Sequence, residues 1–390
     1  MDRANQIPEP ASVSRQLPLA PEATADRRGL RLVSGGLRLA EPVVAPDPQW
    51  QEAFGDLVEW LGIAIDPVPA PRSAAFRKMT DWARAAAGAG GAVQFMPWQV
   101  ISPVALQSGG EAHLPRADWI ASYLFDHTVG AGSVRSAPLD LMLMSPHPAA
   151  CVADEAGALA LPRPAITEAM IRAARAEGRS RIAIIVPAAL RNGFARQLLS
   201  ADRALTREGL ELEIIAIEQA LGTLTLARPK WDALIVMPEL RSIVFALLAE
   251  ATGIRAAWPM LWHGARGSML VTSEGLSEAG ARLPLDAPVL IQSLAVTLHQ
   301  AGMTAAGRRL HEAFVRLRDN GVVTPSRGSP APYANTRSDT EFVSLICAGM
   351  AIGIRPVPQW RALGESLAGG TSAEPVRLTL IASNPSSQRS

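Results

Sequence analysis

Cysteine is nearly absent from this chain: 390 residues hold only Cys151 and Cys347. The two lie far apart and neither belongs to a Cys-x-x-Cys pair, which excludes a disulfide framework and a cysteine zinc cluster. A reducing cytoplasm is the expected compartment. Charge of one sign is also lacking. The 37 basic and 36 acidic residues leave a formal net charge of +1, with no block of like charges, so neither nucleic acid nor an anionic membrane surface is expected as a partner. No uninterrupted apolar run reaches the roughly 18 residues that a spanning helix needs. Met1 to Arg28 is polar, rich in Pro and Ala, and without the apolar region of an export signal. The expectation is a soluble, unexported protein. No internal repeat occurs.

What is present is apolar material. A hydrophobic share of 48% and a mean hydropathy of +0.13 suffice for a substantial core. Residues 1–28, with Pro8, Pro10, Pro18 and Pro21, cannot offset ordering entropy by burial and are predicted to be disordered. Phe54, Leu57, Val58 and Leu61 stand at helical spacing in Gln51 to Ile65, as do Phe76, Met79 and Trp82 in Ala74 to Ala87. Gly88 to Ser136 is broken by Ser108-Gly109-Gly110 and Gly130-Ala131-Gly132, with a short helix predicted at Ala117 to Phe125. Leu139 to Met144 reads as a buried strand stopped by Ser145-Pro146.

From Ile166 the alternation becomes regular. A helix to Glu177 stops at Gly178, followed by a strand Arg181 to Val186, a helix Leu198 to Arg207, a Gly209 stop and a strand Leu212 to Ile217. A helix near Ala220, a strand Trp231 to Val236 and a helix Ile243 to Ala251 follow, then amphipathic helices Ala287 to Gln300 and Ala305 to Asp319. Strands separated by such helices imply parallel pairing and an open α/β sheet covered on both faces. Residues 356–390 return to Pro, Gly, Ser and Gln and read as a loosely held tail.

The order and local wording of this frame resemble the isocitrate and isopropylmalate dehydrogenase family. The resemblance is carried by Ile166-Thr167, by Gly178 before the Ile182 strand, by Ile235-Val236-Met237-Pro238-Glu239-Leu240, by the segment Met269 to Pro288 in place of an adenine loop, by Thr324-Pro325, and by Asp339-Thr340-Glu341-Phe342. It is clearest over 139–342. It implies an isopropylmalate dehydrogenase-like α/β domain over 29–355: an open, mostly parallel sheet flanked by helices, in two lobes with a central cleft. It further implies a dimer with the active site across the interface, Mg or Mn held by aspartates, a lysine for proton transfer, arginines on substrate carboxylates, and NAD or NADP as hydride acceptor.

The same comparison marks what is missing. Where the family has His-Lys-Ala-Asn, this chain has Val186-Pro187-Ala188-Ala189, and a metal-binding aspartate is matched by Glu218. The family's Asn-Leu-Phe-Gly-Asp-x-x-Ser-Asp becomes Glu239-Leu240-Arg241-Ser242-Ile243-Val244-Phe245-Ala246-Leu247, so both aspartate positions, Ile243 and Leu247, are apolar. Arg241 adds a charge that opposes a cation. Ser145-Pro146-His147 replaces Arg-Glu-Asn, and Glu274-Gly275-Leu276-Ser277-Glu278-Ala279 with Ala287-Pro288 keeps one Gly and one Pro of the cofactor loop. At the place of the family's N-terminal glycine loop, Val44-Ala45-Pro46-Asp47-Pro48 has no glycine.

Pro187, Glu218, Glu239, Arg241, Ile243 and Leu247 are therefore read as vestigial cleft positions, with no catalytic, cofactor-binding or metal residue assigned. The expectation is a degenerate, non-catalytic member that acts as a homodimer or as an accessory subunit of a catalytic paralogue, with no cofactor. Two alternatives stand beside it. One is an active NAD(P)-dependent oxidoreductase on a 2-hydroxy acid, with Mg or Mn rebuilt on Glu218, Glu239 and Glu274. The other is a small-molecule binding protein using the interdomain cleft. Plainer readings exist for single residues: Glu218 and Glu239 as strand-end carboxylates at helix caps, His263 as a loop histidine beside Trp262, Trp258, Met260 and Trp262 as core, Gly264 to Ser268 as an ordinary turn, and Arg135 and Arg163 as solvated surface.

Overall fold

The computed structural model describes residues 38–40, 47–63, 66–68, 93–107, 114–115, 117–128, 138–152, 161–200, 209–226, 229–264, 267–276, 283–327, 333–353, 356–364 and 377–380. The predicted disorder of 1–28 and the predicted helix Ala74 to Ala87 lie outside them. In chain order the strands are β1 Arg38–Ala40, β2 Asp66–Val68, β3 Gln94–Ile101, β4 Trp119–Asp126, β5 Leu139–Pro146, β6 Cys151–Val152, β7 Leu161–Pro162, β8 Arg181–Val186, β9 Glu211–Ala216, β10 Ala233–Val236, β11 Trp258–Gly264, β12 Gly267–Glu274, β13 Val322–Val323, β14 Asn335–Thr336 and β15 Arg377–Leu380. The helices are α1 Pro48–Leu61, α2 Pro164–Ala176, α3 Arg191–Ser200, α4 Ile217–Leu224, α5 Arg241–Thr252, α6 Ala287–Gln300, α7 Thr304–Asp319 and α8 Asp339–Cys347.

Eleven strands form one mixed sheet in the order β15-β9-β8-β10-β5-β4-β11-β12-β3-β1-β2. Pairing is antiparallel at β5–β4, β4–β11 and β11–β12 and parallel elsewhere in that sheet. Alternate side chains enter opposite cores, as the period of a strand requires. In β8, Ile182, Ile184 and Val186 join the layer of α1, α2, α3, α6, α7 and α8, whereas Ala183 and Ile185 meet α4 and α5 on the other face. Near-continuous apolar strands follow from burial on both sides. Gly178 and Gly209 stand at the expected stops, at φ 71° and 78°, a region closed to most side chains.

The Ala117 to Phe125 segment is a strand, not a helix. All eight residues of β4 are buried, and β4 sits between β5 and β11 with cover on both faces. A mostly apolar run, broken only by Asp118 and Ser122, leaves little period to separate the two structures, and the aromatic Trp119, Tyr123 and Phe125 suit a strand. Smaller corrections follow the same logic. The second expected helix begins earlier, as α3 at Arg191. The strand expected at Leu212 to Ile217 is β9, Glu211–Ala216, because Ile217 and Glu218 open α4. His263 lies in β11 rather than in a loop. Residues 356–363 fall in the stretch read as a loosely held tail, yet Trp360, Ala362 and Leu363 are buried in the main core.

Candidate functional site

The carboxyl ends of β9, β8, β10 and β5 stand side by side, and crevices beyond such ends are where open α/β sheets bind ligands. β9 passes directly into α4 with exposed Glu218 in its first turn. β8 ends at half-buried Pro187, followed by exposed Ala188 and Ala189. β10 ends at Met237 and a 3-10 turn Pro238–Leu240 that carries Glu239. β5 leads to His147. Three of the six candidate positions, Pro187, Glu218 and Glu239, thus share one edge of the sheet.

Glu239 is the chemically unusual member. Burial pushes its carboxyl above the ordinary range, and its buried Oε1 has no hydrogen-bond partner among the described residues. Its backbone carbonyl accepts from Gln107 Nε2 at 2.7 Å, and the same amide reaches Ser242 Oγ. The Cys151 thiol is pushed up to about 12, chiefly by burial and then by the Glu239 charge, against a lowering effect of Arg163. Its Sγ donates weakly to the His147 carbonyl at 3.7 Å. His147 Nδ1 accepts from the Ala149 amide at 3.1 Å. Arg163, exposed at the start of α2, donates to Ala149 O at 3.3 Å. Beside them His263 stacks on Trp119, with ring centroids 3.8 Å apart and planes 5° from parallel. Burial lowers that imidazole to about 3, so it stays neutral at physiological pH, a poor starting point for a base that must hold a proton.

Arg241 does not face this edge. The guanidinium is wholly buried and turned under α5, where Nε and Nη2 grip Glu274 at 2.7 and 2.8 Å. Nη1 donates to Ser145 Oγ at 2.9 Å and Nη2 to Ser122 Oγ at 2.9 Å. The positive charge expected beside a cation is therefore neutralised inside the core. Glu274, assigned by resemblance to a cofactor loop, is the last residue of β12, and both its oxygens are engaged. Ile243 is exposed on α5 and Leu247, one turn on, packs partly against the α4–α5 core. Arg135 lies outside the described residues. Asp47 caps α1 by accepting from the Gln49 amide at 2.9 Å. Among the described residues no three His, Cys, Asp or Glu side chains group in a way that could hold a metal ion.

Sequence reasoning missed the Arg241–Glu274–Ser122–Ser145 quartet. Its signal was a single charge within each of two otherwise uncharged stretches, Leu240 to Phe245 and Leu270 to Glu274, since lone charges in buried elements are found paired.

No protein-family model matches this chain, and no curated protein does. Solved structures do. Isocitrate dehydrogenase from Methylococcus capsulatus superposes with a TM-score of 0.52 at 15% identity, covering 81% of this chain and 99% of that one. The TT0538 protein from Thermus thermophilus does so with a TM-score of 0.54, also at 15% identity, covering 88% of this chain and 72% of that one. The likeness is one of fold. The mixed α/β architecture is isocitrate dehydrogenase-like, a distant relationship that by itself carries no activity to this chain. No helix among the described residues is long and apolar enough to cross a membrane.

Proposed function

We propose that this chain is a non-catalytic isocitrate/isopropylmalate dehydrogenase-like protein that acts as a dimer or as an accessory subunit of a catalytic relative. The observation that carries the reading is the fate of the α5 entrance. The two positions where resemblance expects cation-binding carboxylates hold Ile243 and Leu247, and the arginine beside them is turned inward onto Glu274. A divalent cation needs several hard oxygen ligands on one point, and Glu274, which a rebuilt site would recruit, is fully committed to Arg241 and Ser122. Pro187 stands where a proton-transferring lysine would be, and proline has no side-chain donor.

The subunit role is supported by apolar side chains left outside: Leu221 on α4, Ile243 on α5 and Val104 on the 3-10 turn that packs against α5 are 40%, 47% and 55% exposed. The test is turnover by the purified protein, with NAD or NADP and magnesium, on isocitrate, isopropylmalate, malate and tartrate. No reduction of either nucleotide is expected; metal-dependent reduction with any of them would defeat the proposal.

A second reading, a small-molecule binding protein using the same edge, is favoured by one feature, the partly buried Glu239 carboxyl with its unpaired oxygen. A buried carboxyl oxygen without a partner is an open acceptor for a ligand's donor. Ligand-dependent shifts in melting temperature that vanish in Glu239→Ala would support it, and shifts of equal size in the variant would remove it.

A further inference from the structure

Far from that edge, residues 350–353 and 356–363 run back along α7, and side chains of the helix and its cap hold them by their main-chain carbonyls. Asn320 Nδ2 donates to Ile352 O at 2.9 Å, Arg316 Nη1 to Gly353 O, His311 Nε2 to Pro358 O at 3.2 Å and Arg308 Nε to Leu363 O at 3.2 Å. The strap is thus antiparallel to the helix. Its far end is plugged in by one aromatic: Trp360 is 2% exposed, with its ring 5.3 Å from Phe125, 5.6 Å from His311 and 6.2 Å from Tyr123. Next to it, the Arg361 amide donates to Asp140 Oδ2 at 2.9 Å and the Arg361 guanidinium meets Asp232 at 3.1 Å.

The floor beneath is titratable. His311 packs edge-on against Phe125 at 5.0 Å, and His127 stacks on the same ring at 6.1 Å while its Nε2 bonds Asp319 at 2.9 Å. His127 Nδ1 and the Trp360 indole N–H are buried without a partner among the described residues. The unpaired indole N–H of Trp360 counts against the docked state.

We propose that residues 350–353 and 356–363 form an acid-released strap, seated along α7 at neutral pH and undocked when His311, beside Trp360, and His127, which shares the Phe125 ring with it, take up protons. Burial is the largest influence on both rings and holds them below the ordinary imidazole range, His311 at about 4. At His311 the Pro358 carbonyl, Asp140 and Glu312 work against burial and His127 works with it. At His127 Asp319 and Asp126 oppose burial and Arg318 reinforces it. A histidine kept neutral when docked, but free to protonate near its usual value of about 6.5 when undocked, gives docking a stability that is complete above about pH 6.5. It fades as pH falls toward the docked value, by up to about tenfold in the docking equilibrium per pH unit per histidine. Release bares Tyr123 and Phe125, now covered by Trp360.

Hydrogen exchange on the full-length protein, with each rate corrected for its intrinsic pH dependence, reads the Arg361 amide directly. Between about pH 7.5 and about pH 5 its protection is expected to fall about 30-fold for a single histidine, while β8 amides stay protected. In His311→Gln, which keeps a donor for Pro358 and cannot titrate, most of that fall should vanish, and in His311→Gln with His127→Asn all of it. Unchanged protection in the wild type, an undiminished fall in the double variant, or loss at β8 in step with Arg361 would each overturn the proposal.

Discussion

Among the described ion pairs, Arg241–Glu274 joins a guanidinium with no exposure to a carboxylate with none, gripped at two oxygens, and such a pair is costly to halve. Its value lies in mutual satisfaction, since a buried charge is tolerated only with its partner. Glu274→Ala is expected to lower the free energy of unfolding by about 3–5 kcal/mol in urea titration, whereas Arg241→Met with Glu274→Leu recovers most of that loss. A loss below about 1 kcal/mol for the single variant would show that the pair is not as dry as it looks. Cys151 offers a gentler probe. With its thiol at about 12 and Glu239 raising it, reaction with a disulfide reagent at mild alkaline pH should be slow, because the thiolate is the nucleophile. Glu239→Gln removes the nearby charge and is expected to accelerate labelling several-fold. An unchanged rate would place Glu239 too far away to matter.

Elements divided by how much period they carry. β8 matched its expected limits, Arg181 to Val186, between Gly178 and Pro187, and α6 matched Ala287 to Gln300, between its Asp286 cap and Gly302. β4 was misread as a helix because eight buried residues in a row carry no face. α6 was read as amphipathic, yet Ala287 to Leu298 are all buried, since sheet, α7 and α8 surround it. Surroundings of that kind are tertiary facts and leave no mark on local spacing. α6 and α7 approach closely at Gly307, where an added Cβ would lie 2.7 Å from the Ala295 carbonyl oxygen. That contact predicts that Gly307→Ala, a change usually favourable within a helix, destabilises by about 1–3 kcal/mol instead. A stabilised variant by thermal melting would contradict the packing. At the candidate site, Pro187, Glu218 and Glu239 could be placed in sequence because strand ends are easy to locate. The inward turn of Arg241 could not, because it depends on serines from β4 and β5.

The molecule as a whole shares the mixed α/β plan of isocitrate dehydrogenase at 15% identity, a likeness of fold that carries no chemistry with it. Exposed Leu221 and Ile243 lie on the two helices that cover one face of the sheet, and solvent is an unfavourable neighbour for each. Ile243→Glu should therefore shift the protein from dimer to monomer by light scattering, with little loss of melting temperature at equal concentration beyond the dimer's own contribution. A wild type that is monomeric would remove the dimer and leave only the accessory role. The decisive experiment is calorimetric titration of manganese into the protein with isocitrate present, less the heat of the isocitrate–manganese complex alone. No saturable protein binding is expected up to the order of 1 mM; one equivalent bound per chain and lost in Glu239→Ala would show that a cation site survives.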